Sequence, residues 1–248
     1  MMASVAQGSE PGIVLEAAGF AVTGTRILSD LTLRLTQQRI GIIGRNGSGK
    51  TTFLRLISGL VTPTQGTVRV AGIDPAKDRK AMLSRLGILF QNPDHQIIFP
   101  TVAEELAFGL RQQGQSKSEA AAQVTGLLTR HARSHWANQP VTNLSQGQRH
   151  FLCLLAVLAM RPEVILLDEP FAGLDLPTQI RLARELAQLP QRLITITHDP
   201  AALQSYDRVI WLEAGQVRAD GSVDQVVPEF TAEMAHLGAA DADTDLPD

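Results

Sequence analysis

The chain has 248 residues, of which 44% are hydrophobic and 19% charged, and its formal net charge is -3. This length and composition fit a single globular domain and exclude collagen-like and disordered proteins, while one cysteine excludes an internal disulfide. The acidic balance disfavours a surface that neutralises the phosphates of DNA or RNA, so no nucleic-acid partner is expected. The longest apolar run, 151–160, is too short to cross a bilayer, and with no signal peptide at the start the expected compartment is the cytoplasm.

Apolar runs alternate with helical stretches along the chain, which predicts an α/β fold with a mostly parallel sheet. The runs typical of buried strands are 40–43, 86–90, 164–167 and 193–197. Segments 66–72 and 209–218 have the alternation or turn residues of antiparallel hairpins, and they predict a small antiparallel layer beside the parallel sheet.

Helical periodicity dominates 101–160, where Val102, Leu106 and Leu110 follow each other at a spacing of four residues. This pattern predicts a helical subdomain inserted between strands. Small, polar and acidic residues at both ends of the sequence are typical of flexible tails. The expected organisation is an ordered domain at 13–227, a helical subdomain at about 92–160, and tails at 1–12 and 229–248.

A glycine-rich segment, GRNGSGKT at 44–51, follows a predicted strand and opens a predicted helix. It matches the phosphate-binding P-loop pattern, in which glycines let backbone N–H groups turn towards phosphate oxygens. Lys50 adds a positive charge near the β and γ phosphates, and Thr51 offers a hydroxyl to Mg²⁺. The predicted phosphate-site residues are Gly44, Asn46, Gly47, Ser48, Gly49, Lys50, Thr51 and Thr52.

A second metal ligand is expected at the end of a buried strand, where four apolar residues are followed by Asp168. Glu169 comes next and is predicted to polarise the water that attacks the γ phosphate. Without the glycine-rich segment, this acidic pair would indicate a structural strand end equally well.

Taken together, these segments resemble the ATPases of ABC transporters, and the resemblance covers about 13–227. Further motifs of that family stand in its order: a glutamine loop at Gln91, a signature at 144–148, a D-loop at 171–175 and a switch histidine at His198. The resemblance implies a P-loop NTPase (RecA-like) fold with flanking antiparallel β and inserted helical subdomains. It also implies hydrolysis of ATP with Mg²⁺.

The resemblance assigns roles to the remaining motifs. Gln91 would reach Mg²⁺ or the water, and His198 would hydrogen-bond the γ phosphate or the water. Ser145, Gly147 and Gln148 would bind the nucleotide of a second copy across a head-to-tail dimer. From the residues alone, 145–148 also matches a capping box that merely starts a helix.

Two positions depart from the family pattern. Gln146 stands where the signature has its first glycine, so backbone approach to the opposite phosphate is expected to be looser. Val22 replaces an aromatic residue that stacks on adenine, which puts base selectivity in doubt.

Segment 91–102 resembles the energy-coupling factor importers, in which a short extra helix meets a membrane subunit. The resemblance implies a homodimer on the cytoplasmic face of the membrane, bound to an integral-membrane coupling subunit and a substrate-binding membrane subunit. Ile97, Ile98 and Phe99 suit an exposed contact patch, with an ordinary core as the alternative. The expected cargo is a vitamin, namely biotin. The alternatives are cobalt or nickel as cargo, or a soluble ABC protein without a transporter, which would require a coiled-coil insertion or a second cassette.

Overall fold

The computed structural model describes residues 12–239, which form two β-sheets and seven α-helices. The strands are β1 (Ile13–Val22), β2 (Thr25–Leu35), β3 (Arg39–Ile43), β4 (Gln65–Val70), β5 (Leu86–Leu89), β6 (Val164–Asp168), β7 (Arg192–Thr197), β8 (Arg208–Glu213) and β9 (Gln216–Gly221). The helices are α1 (Lys50–Ile57), α2 (Arg79–Met82), α3 (Val102–Gln112), α4 (Lys117–Arg130), α5 (Gln146–Ala159), α6 (Leu176–Ala187) and α7 (Val223–Ala239).

The larger sheet has six strands in the order β5-β6-β7-β3-β8-β9, and all neighbours are parallel except β8 and β9. The central strands are apolar on both sides, as a parallel sheet covered by helices requires. The predicted strands of the sheet and the α/β fold are therefore confirmed. The hairpin at 209–218 is confirmed as well, since β8 and β9 turn through Ala214 and Gly215, both at positive φ (46 and 76).

The smaller sheet is antiparallel, with the order β2-β1-β4. The hairpin predicted at 66–72 is only a turn: the segment supplies one strand, β4, whose partner is β1, and beyond Ala71 and Gly72 the chain returns for a single antiparallel bridge between Val70 and Ile73. The actual hairpin joins β1 to β2 through Thr23 and Gly24. It escaped prediction because register shifts between Leu15 and Ala21 interrupt the alternation of buried and exposed residues in β1.

Three helices, α3, α4 and α5, lie within the segment expected to form the inserted subdomain, and they share one core. Val102, Leu106 and Leu110 of α3 are buried in it, together with Val124 of α4 and Leu152 of α5. This core fixes the position of the first turn of α5, which carries the signature residues.

The helix α7 corrects the predicted C-terminal tail, because residues 229–239 belong to it rather than to a flexible segment. Phe230 is 3% exposed and packs edge-on against Trp211, with ring centroids 5.3 Å apart. The acidic residues beyond 240 suggested a tail, but spacing four residues apart places Val226 and Phe230 on one buried face. Residues 1–11 and 240–248 of the predicted tails lie outside the described residues.

We expect Phe230→Ala to lower the free energy of unfolding by about 3–5 kcal/mol, the usual range for removing a buried aromatic ring. Chemical denaturation of the purified chain measures the effect. Leu60→Ala is the matched control, since Leu60 is 49% exposed. Equal stability of the two variants would show that α7 does not pack as described.

Candidate active site

The carboxyl ends of β3, β5, β6 and β7 meet at one edge of the larger sheet, where loops with the predicted motifs surround a cavity of about 460 Å³. In such sheets, ligands bind at this edge. The structure brings together ten of the residues predicted for the site. They are Asn46, Gly47, Gly49, Lys50, Thr51, Thr52, Gln91, Asp168, Glu169 and His198.

The loop between β3 and α1 has the backbone geometry that its glycines predict. A Cβ on Gly44 would lie 2.3 Å from the carbonyl oxygen of Leu212, and Gly49 has a φ of 101°. Helix α1 begins without a side-chain cap, so N–H groups of its first turn can bind an anion. Gly44 and Ser48, two further residues of this loop, do not line the cavity. Ser48 is buried, and its hydroxyl has no hydrogen-bond partner.

Lys50 is 7% exposed, and its Nζ donates hydrogen bonds to the carbonyl oxygens of Gly44 and Arg45, at 2.7 and 2.8 Å. Burial lowers the pKa of this amine, while the nearby carboxylates of Glu169 and Asp168 act in the opposite direction. A phosphate oxygen is a stronger acceptor than a carbonyl, so the lysine can exchange these contacts for a ligand phosphate.

Asp168 lies at the end of β6, where burial raises the pKa of its carboxyl and the charge of Glu169 raises it further. A bound cation would favour the ionised form. Within residues 12–239, no group of three or more His, Cys, Asp and Glu side chains is arranged to hold a metal. Mg²⁺ needs only one or two protein oxygens when phosphates and water complete its shell, and Asp168 with Thr51 fits this requirement.

We expect Asp168→Asn to raise the melting temperature of the nucleotide-free chain at neutral pH, since it removes a half-buried charge beside Glu169. The pKa of Asp168 is raised on folding, so its ionised form destabilises the fold, and this penalty disappears as the pH falls through that pKa. The difference between variant and parent should therefore shrink in acid. Thermal unfolding across pH measures it, and a variant less stable at neutral pH would contradict this account.

Glu169 is held in place by the two residues that end β7 and follow it. Its carboxylate accepts a hydrogen bond from Thr197 Oγ1 at 3.1 Å and lies 2.9 Å from His198 Nδ1. Its φ of 46° turns the chain sharply after β6. Thr197 was missed by sequence reasoning, although its position directly before His198 is the signal that could have found it. Its hydroxyl also accepts from the N–H of Asp199, which links Glu169 to the switch segment.

The signature residues form the capping box that their spacing predicts. Ser145 Oγ accepts from the N–H of Gln148 at 3.3 Å, and the Gln148 side chain accepts from the N–H of Ser145 at 2.8 Å. Ser145, Gly147 and Gln148 line a different cavity from the glycine-rich loop. One copy of the chain therefore does not bring its own signature to its own phosphate site.

Two aliphatic residues also line the cavity, Ile27 from β2 and Ile196 from β7. No aromatic ring lines it among the described residues, and Val22 is 45% exposed. Gln146 turns towards the D-loop, with its amide nitrogen 3.2 Å from the point that a Cβ on Gly173 would occupy. Ile27 was missed because nothing in its sequence context marks it as facing a ligand.

The segment after Gln91 forms a short 3₁₀ turn at Pro93–His95. The expectation of an exposed patch holds for Ile98, which is 68% exposed. It is wrong for Ile97, which packs against two core clusters, and Phe99 contacts the ring of Phe108 at 5.2 Å. In an extended segment the side chains of successive residues point in opposite directions, so Ile98 faces outwards while Ile97 and Phe99 face inwards.

A glycine-rich loop opening a helix, a buried lysine and an Asp-Glu pair at the end of a strand in the same sheet define a P-loop nucleoside triphosphatase. The chain belongs to the ATP-hydrolysing subunits of ABC transporters, since residues 28–172 match the family described as ABC transporter. Within residues 12–239, every helix is too short or too polar to cross a lipid bilayer.

The chain is 51% identical over 219 residues to the biotin transport ATP-binding protein BioM of Rhodobacter capsulatus, which covers 88% of this chain and 94% of that protein. It is 41% identical to BioM of Rhizobium etli, over 88% and 97% of the two chains. Among solved structures, it resembles CbiO1 of Clostridium perfringens, part of an ABC transporter complex, with a TM-score of 0.76, 26% identity and coverage of 93% and 96%. These similarities agree with the fold and with an ATP-binding cassette.

Proposed function

We propose that the chain is the ATP-hydrolysing subunit of an energy-coupling factor importer whose cargo is biotin. The observation that carries the proposal is the convergence of Lys50, Asp168, Glu169 and His198 on one cavity at the start of α1. The two relatives named as biotin transport ATP-binding proteins support the cargo.

Each residue of the cavity has a distinct task in hydrolysis. The loop N–H groups and Lys50 bind the β and γ phosphates, which fixes the γ phosphate for in-line attack. Mg²⁺ held by Thr51 and Asp168, with Gln91 at the edge of the cavity, would neutralise phosphate charge when bound. Glu169 orients the attacking water and accepts its proton, and His198 holds the carboxylate of Glu169 while presenting its other nitrogen to the γ phosphate.

The active unit is a head-to-tail homodimer. Ser145, Gly147 and Gln148 of one copy complete the phosphate site of the other, because the capped start of α5 presents backbone N–H groups to an anion. This arrangement gives a task to both phosphate-facing elements of the chain. It also makes hydrolysis depend on the association of two copies.

The dimer acts at the cytoplasmic face of the membrane as a peripheral subunit. It binds an integral-membrane coupling subunit, which in turn works with a substrate-binding membrane subunit. The exposed Ile98, next to the glutamine loop, offers an apolar contact to the coupling subunit. A shift of Gln91 when the nucleotide binds or leaves would move the adjacent segment and so displace Ile98 at the contact with the coupling subunit.

Co-expression with the membrane proteins encoded beside the chain tests the proposal. We expect an affinity tag on the chain to retain both membrane subunits and biotin, and Ile98→Asp to reduce this retention. Ile180→Asp is the matched control, because Ile180, in α6, is also exposed, at 53%. Retained cobalt or nickel in place of biotin would overturn the cargo, and full ATPase activity without any membrane partner would overturn the importer.

A further inference from the structure

The side chain of Arg149, in the first turn of α5, joins the segment after Gln91 to the signature. Its Nη1 donates a hydrogen bond to the carbonyl oxygen of Leu144 at 2.9 Å, and its Nε forms an ion pair with Asp94 Oδ1 at 3.1 Å. We propose that Arg149 is a positioning residue that passes the position of the glutamine loop to the signature. The inference rests on the proposed head-to-tail dimer, in which nucleotide at one site would thereby position the signature that completes the other site.

The turn around Gln91 is braced by its own side chains. Asn92 Oδ1 accepts a hydrogen bond from the N–H of Asp94 at 2.9 Å, and Gln96 Oε1 accepts one from the N–H of Phe90 at 3.1 Å. Side chains that bond to the nearby backbone in this way hold a turn in one shape. A displacement of Gln91 is therefore carried to Asp94 and not absorbed between them.

A buried carboxylate fixes the far end of the same segment. Glu105 is 6% exposed, and its Oε2 accepts hydrogen bonds from the N–H groups of Ile98 and Phe99, both at 2.9 Å. It lies in the first turn of α3, where the helix dipole stabilises a negative charge. The segment is thus held by two helices of the subdomain, by α3 at Glu105 and by α5 at Arg149.

Stability of the fold does not account for Arg149. A cation in the first turn of a helix is disfavoured by the helix dipole. The side chains of Arg149 and Asp94 are 25% and 61% exposed, and ion pairs with this access to water add little to the free energy of unfolding. The contacts of Arg149 with two separate motifs indicate a role in their relative position.

The bond between Arg149 and Asp94 is open to adjustment. Arg149 Nε is buried and, despite its short distance to the carboxylate, has no aligned hydrogen-bond partner. Buried donors are normally paired, so a small shift of Asp94 that aligned this bond would be favourable. The position of the glutamine loop and the strength of the pair therefore depend on each other.

Dimerisation driven by ATP tests the proposal. In the Glu169→Gln background, sedimentation velocity with ATP measures the dissociation constant of the dimer. We expect Arg149→Gln to raise this constant about fivefold or more, the lower end of typical coupling between sites. The affinity of the monomer for ATP and the melting temperature should stay at the parent values. Arg85→Gln is the matched control, since Arg85 pairs with Glu163 on the surface.

Asp94→Asn separates this role from a direct contact of Arg149 with the nucleotide of the other copy, because it removes the ion pair and leaves the cation. We expect it to raise the dissociation constant as well, and the double variant Asp94→Asn, Arg149→Gln to add little to the larger single effect. Additive effects, an Asp94→Asn variant equal to its parent, or a lower melting temperature of Arg149→Gln would overturn the inference alone. A Glu169→Gln parent that stays monomeric with ATP would refute the proposed dimer, and this inference with it.

Discussion

Glu169→Gln should bind ATP about as tightly as the parent chain and hydrolyse it about 10²–10⁴-fold more slowly, the usual contribution of a general base. The carboxylate is held by Thr197 and by His198 Nδ1, so it is fixed next to the phosphate site before any ligand arrives. Glutamine keeps the size and the hydrogen bond from Thr197, yet it cannot accept a proton from water. Phosphate release and equilibrium binding of nucleotide measure the two quantities separately.

The same variant tests the dimer, because ATP that is bound and not hydrolysed should hold two copies together. Size-exclusion chromatography with ATP is expected to show a dimer for Glu169→Gln and a monomer when Ser145→Arg is added. Glu163→Gln serves as the control, since Glu163 pairs with Arg85 on the surface away from the cavity. Turnover in Glu169→Gln equal to that of this control would remove Glu169 from the reaction.

The parallel sheet could be predicted because its strands carry a local signal. Val164 to Leu167 form a strand that is buried on both sides. The sequence indicates this directly, because four apolar residues in a row are followed by Asp168. In the smaller sheet only β4 has a local signal, the alternation at 66–72. The pairing of β1 with β2 and β4 depends on bulges between Leu15 and Ala21, which are set by tertiary packing.

Ten of the residues predicted for the site line its cavity, and they could be predicted because each belongs to a short motif or a strand end. Residues that act through others were harder to find. Thr197 matters only because β6 and β7 are neighbours, which brings it to Glu169. The buried face of α7 was also not predicted, because it depends on the contact of Phe230 with Trp211, a residue in a different element of the fold. Pairings between distant segments are decided by the fold, and periodicity does not reveal them.

Lys50→Ala should weaken ATP binding at least about 100-fold, since it removes a charged donor worth roughly 1.5–3 kcal/mol for each phosphate contact. Lys50 already spans the loop through the carbonyl oxygens of Gly44 and Arg45, so its amine is positioned before the nucleotide binds. The loss differs in kind from that of Glu169→Gln: binding fails first, and hydrolysis fails because no complex forms. Equilibrium titration with a slowly hydrolysed ATP analogue separates these cases. Lys77→Ala, at an exposed lysine paired with Asp74, is the matched control, and equal affinities in the two variants would exclude Lys50 from the phosphate site.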